Sequence, residues 1–88
     1  MSTSPEQLAA PPVDALLSEM VATLSYAAMA YLEPRDSAGQ PDLPSAEIAV
    51  DVAGVAFDRI APRLGAGERT ALTAMLTDVR MTIVRKRG

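Results

Sequence analysis

The sequence predicts an all-α fold: a three-helix domain, built as a helical hairpin plus a third helix, that pairs into a dimeric helical bundle. Three observations carry this expectation. Sixteen of the 88 residues are alanine, the best helix former. Apolar residues recur at spacings of three and four in three separate stretches, the period of a helix with one buried face. Prolines and turn residues stand between those stretches, where they end one helix and begin the next.

The first helix is expected over Val13 to Leu32. Val13, Leu17, Met20, Leu24, Ala27 and Tyr31 are spaced 4, 3, 4, 3 and 4 apart, a heptad seam. Leu16, Val21 and Ala28 flank the seam and widen the stripe, while Ser18, Glu19 and Ser25 lie away from its centre. The preceding residues 1–12 contain Pro5, Pro11 and Pro12 among small and polar neighbours, the composition of a disordered tail. Pro12 suits a first helical turn, where its missing N–H is no loss. Pro34 and the turn-rich run from Glu33 to Asp42 are expected to stop the helix and form a loop.

The second helix is expected over Leu43 to Ile60, with Asp42 as N-cap, Pro44 and Ser45 in the first turn and Pro62 beyond its end. Glu47, Asp51, Gly54 and Asp58 form a narrow polar stripe at 100° per residue. Nearly everything else is apolar, including Ile48, Val50, Val52, Val55, Phe57 and Ile60. A helix so patterned is mostly buried, and two neighbours in a three-helix chain cover it poorly. A second copy is the simplest further cover.

The third helix is expected over Ala66 to Lys86. Leu72, Met75, Leu76, Val79 and Ile83 make its inner stripe, and Met81 and Val84 stand on the opposite side. Glu68 in the first turn and Arg85, Lys86 and Arg87 in the last complement the helix dipole.

At this length the chain is one domain, residues 13–86, with a thin core of its own. The sequence contains no cysteine and no histidine. That removes disulfides, thiolate ligands, the commonest metal ligand and the commonest general base. No cofactor, no metal and no catalytic residue is expected. Ser18, Ser25, Thr73 and Thr77 have no base beside them, and the carboxylates Glu47, Asp51 and Asp58 lack the histidines of a helical di-metal site. Their simplest role is the solvated edge of a buried helix.

Net charge is −3, unevenly laid out. Residues 1–58 carry nine acids and one base, and residues 59–88 carry seven bases and two acids. The two regions can attract each other within one chain or between two. Arg69, Arg80 and Arg85 are the candidates for an ion pair or an anion contact, with Arg80 expected to hold one of Glu47, Asp51 or Asp58. The longest uninterrupted apolar run is Tyr26 to Leu32, short of the ~20 residues of a spanning helix, and the polar start does not look like a secretory signal. The expectation is a cytoplasmic chain with no membrane contact.

Several segments together resemble the small bacterial family called domain of unknown function 1844, over about residues 13–84. They are Pro41-Asp42-Leu43-Pro44 followed by Ala46, Asp51 within an apolar helix, Leu64 to Glu68, and Leu72 through Leu76-Thr77-Asp78-Val79-Arg80-Met81. The sequence departs from that family at Gly65, Ala66 and Gly67, where a Thr cap and a Pro-Glu are usual, and at Pro62 in place of a glycine. The resemblance implies no activity and assigns no site residue.

The expected function is therefore a non-enzymatic protein-interaction or assembly module acting through helix contacts as a homodimer, with another protein as a further partner. Its interface candidates are Leu17, Met20, Leu24, Tyr31, Val52, Val55, Phe57, Met81 and Val84. The alternative is a nucleic-acid-associated protein using the Arg-rich third helix and C-terminus.

Overall fold

The computed structural model describes residues 10–33 and 39–88. Three α-helices follow one another: α1 Val13–Leu32, α2 Leu43–Ile60 and α3 Ala66–Arg87, with a single 3-10 turn at Ala61–Arg63 between the last two. The tail expected over residues 1–12 lies outside the described residues up to position 9, as does Pro34. Residues 10–12 are exposed and lead directly into α1.

The boundaries fall where local chemistry puts them. Pro12 stands at the N-cap of α1, and its carbonyl accepts from Leu16 N at 3.1 Å. Asp42 caps α2 through its side chain, which accepts from Ser45 N at 3.1 Å. Its own backbone N–H donates to the Tyr31 carbonyl at 2.8 Å and so ties the start of α2 to the end of α1. Pro62 sits at the start of the 3-10 turn, because a proline that far along an α-helix would remove a backbone donor. Gly65 begins α3 with extended backbone, φ −66° and ψ 159°, and offers no side-chain cap.

α1 and α2 form an antiparallel hairpin, and α3 packs across one side of both. The core holds Val21, Ala28 and Leu32 from α1, Ala46, Ala49, Val50, Ala53 and Ile60 from α2, and Leu72, Leu76, Val79 and Ile83 from α3. Leu64 closes the corner end. Each fully buried Leu, Ile or Val contributes about 1.5–3 kcal/mol. The alanines contribute less area and instead let α1 and α2 approach closely. The molecule is two helix layers deep, 17 Å in its shortest dimension.

α1 is turned by one residue relative to the seam expected from sequence. The buried positions are Ser18, Val21, Ser25, Ala28 and Leu32, each one residue after a seam position and so 100° further round. Ser18, Val21, Ser25, Ala28 and Leu32 form the centre of the buried face, Leu17 and Leu24 of the seam pack at its edge, and Val13 and Met20 are exposed. Ser18 and Ser25, expected off the stripe, are inside it. Ser25 returns its hydroxyl to the Val21 carbonyl at 2.7 Å, whereas the buried Ser18 Oγ has no hydrogen-bond partner.

α1 also corrects the reading that no segment is long and apolar enough to span a bilayer. It has 20 residues and a mean hydropathy of 1.3, sufficient by length and composition. The uninterrupted run understates this because Glu19 and isolated Ser and Thr break it without outweighing the apolar majority. In the fold the same helix is one arm of the hairpin, with Val21, Ala28 and Leu32 fully enclosed.

Candidate interaction surface

With α3 on one side of the hairpin, the other side is left open. On α1 it presents Val13, Leu16 and Met20, all exposed, with Leu17, Leu24 and Ala27 half-buried and Tyr31 at the far end. On α2 it presents Ile48, Val52 and Val55, of which Ile48 and Val55 are 66% and 65% exposed. Their spacing of four and three places them on one line, with Arg59 next in it. Two shallow grooves run between the helices. One lies between Val13, Leu17 and Met20 of α1 and Val52 and Val55 of α2, with Asp51 and Arg59 on its rim. The other lies between Leu24 and Tyr31 of α1 and Ser45 and Ile48 of α2.

This surface collects six of the interface candidates named from sequence: Leu17, Met20, Leu24, Tyr31, Val52 and Val55. It adds Val13, Leu16 and Ile48, which that set omitted. The signal for Ile48 was its place in the 4, 3, 4 spacing with Val52, Val55 and Arg59. Phe57 does not belong here: it lines neither groove and packs half-buried on the core. Met81 and Val84 are exposed on α3, away from the open side of the hairpin.

The polar stripe of α2 keeps its carboxylates at least partly exposed, and α3 meets it at two points, Gly54 and Glu47. Gly54 is buried, and a Cβ at that position would meet Arg80 Nη2 at 2.5 Å. One heptad further, Glu47 pairs with Arg87. Seven residues separate Gly54 from Glu47 on α2 and Arg80 from Arg87 on α3, so the two contacts repeat in one antiparallel register. Asp51 and Asp58 remain exposed.

The three candidate arginines take different places. Arg69 is a corner staple: its Nε donates to the Ala61 carbonyl at 3.1 Å and its Nη2 to the Leu64 carbonyl at 2.8 Å. Arg85 donates to the Thr82 hydroxyl at 3.0 Å, and Thr82 donates to the Asp78 carbonyl at 2.8 Å. Arg80 rests on Gly54, and among the described residues no carboxylate is in ion-pairing reach of it. The expected Arg80 ion pair is thus replaced by Arg87 with Glu47. A second exposed pair joins Arg63 to Asp14 at 3.4 Å and links the corner to the start of α1.

Where α3 crosses α1, a cleft of about 160 Å³ opens between Tyr26, Met29, Met75 and Asp78. Among the described residues no three acidic side chains converge as a metal site would need. No family model, no curated protein and no solved structure matches this chain.

Proposed function

We propose that this chain is a non-enzymatic interaction or assembly module that works by pairing helices, first of all with another copy of itself. The observation that carries the reading is the open side of the hairpin. It gathers Val13, Leu16, Met20, Ile48, Val52 and Val55, each between 41% and 66% exposed, into one apolar patch of the kind that marks an interaction site. A chain with neither histidine nor cysteine carries little of the usual equipment for acid–base or nucleophilic chemistry.

Size-exclusion chromatography with light scattering is the test. The expected mass is a multiple of the 9.2 kDa chain. A monomer at every concentration up to the millimolar range would remove self-association from the proposal.

The nucleic-acid reading draws on Arg80, Arg85 and Lys86, exposed near the end of α3 with no carboxylate partner among the described residues. It has less support. Arg69 and Arg87 are engaged within the fold, and the net charge of −3 opposes the phosphate attraction that supplies most non-specific affinity. Retention on DNA- or RNA-cellulose that falls steeply with salt would favour it.

A further inference from the structure

We infer that the second copy docks on the open side of the hairpin with its α2 antiparallel to this α2, the two helices crossing at Val55, and that Asp51 of each copy pairs with Arg59 of the other. This rests on the self-association proposed above and names its surface and its register.

Charge layout selects this occupant. Asp51 and Arg59 stand four residues to either side of Val55 and border the groove beside Val52 and Val55. Both are exposed, and neither makes an ion pair among the described residues. A two-fold interface requires a patch that complements itself, so that residue i meets j and j meets i. An acid and a base equidistant from one apolar residue satisfy that condition. An antiparallel crossing at Val55 brings each acid level with the opposing base, within the span of the long Arg59 side chain, and packs the Val52 and Val55 strips of the two copies together.

Other occupants fit less well. A lipid surface would take Val52 and Val55 only by drawing Asp51 towards the acyl layer, at a large desolvation cost, and the net negative chain gains nothing from anionic headgroups. An unrelated amphipathic helix would bind the apolar strip, but nothing in that case calls for one acid and one base at equal distances from its centre.

The full-length chain tests this by sedimentation equilibrium. Both side chains are exposed, so the substitutions leave the core intact, which circular dichroism checks. Asp51→Arg and Arg59→Asp are each expected to raise the dimer Kd at least tenfold, because each sets like charges against each other twice per dimer. The double variant Asp51→Arg/Arg59→Asp is expected to return to within threefold of the parent chain. Dimerisation that neither single change weakens, or that the double change fails to restore, overturns the register and surface while leaving self-association in place. A parent chain that is monomeric alone and sediments with phosphatidylcholine vesicles overturns both in favour of lipid.

Discussion

The guanidinium of Arg80 lies directly on the backbone of Gly54, in the space a side chain would otherwise fill. Glycine in the middle of α2 costs about 1 kcal/mol of helix propensity relative to alanine. The atom that a methyl group would strike is the far end of a long, exposed side chain with no hydrogen bond or ion pair of its own among the described residues. Arg80 can therefore swing aside. Gly54→Ala is expected to stabilise the fold by up to about 1 kcal/mol, read from urea denaturation. Destabilisation of more than about 1 kcal/mol would show that α3 needs Arg80 in that seat.

Ser18 supplies the second expectation. Its buried hydroxyl has no partner, and an unsatisfied buried polar group costs about 1–3 kcal/mol. Ser18→Ala is expected to raise stability by about 1 kcal/mol, with some gain in helix propensity. Ser25→Ala, which gives up the bond to the Val21 carbonyl, is expected to gain less. Thermal unfolding of the two variants side by side checks the order.

Arg69 fixes the corner between α2 and α3. It donates to the Leu64 carbonyl and to the Ala61 carbonyl, which also accepts from Leu64 N, and so ties the 3-10 corner to the first turn of α3. Arg69→Ala is expected to cost about 1–2 kcal/mol. Arg69→Lys is expected to restore less than half of this, because an ammonium lacks the planar fork that reaches both oxygens. Hydrogen exchange should quicken first at the start of α3.

Gly65 marks an N-terminus without a cap. Its extended backbone is open to any residue and nothing lies within 4 Å of where a Cβ would stand. Gly65→Thr adds a hydroxyl acceptor for the free N–H groups of α3 and removes glycine's freedom in the unfolded chain. The expected gain is about 0.5–1 kcal/mol, seen as a higher denaturation midpoint at unchanged slope.

Much of the fold was legible in the sequence because prolines, one aspartate cap and three apolar periods all act locally. Val13, Leu32, Leu43, Ile60 and Ala66 bound their helices where the pattern put them, and the Leu72-Leu76-Val79-Ile83 stripe of α3 faces the core. The rotation of α1 was not legible. Its circumference is apolar on two adjoining lines, and periodicity reports that a line exists without saying which neighbour it meets. Side-chain size argued for Leu17, Met20 and Leu24 at the centre of the buried face, whereas close approach of two backbones put Ser18, Ser25 and Ala28 there and left Leu17 and Leu24 at its edge. The seat of Arg80 was equally hidden, since the wheel shows Gly54 among acids and nothing in the sequence brings α3 alongside. The candidate surface was half legible: its residues could be named, but their division between the hairpin and α3 depended on topology.

The inward small side chains of α1 and α2 invert the usual map of tolerance. In the isolated chain, replacing Met20, Val52 or Val55 by polar residues of similar length disturbs no interior packing. Enlarging Ala28, Ala49 or Ala53 by even one or two carbons forces the two helices apart. A saturation screen of the unassembled chain would find its least forgiving positions among alanines, and an alignment-free guess that ranked sites by hydrophobic bulk would place them on the wrong side of the hairpin.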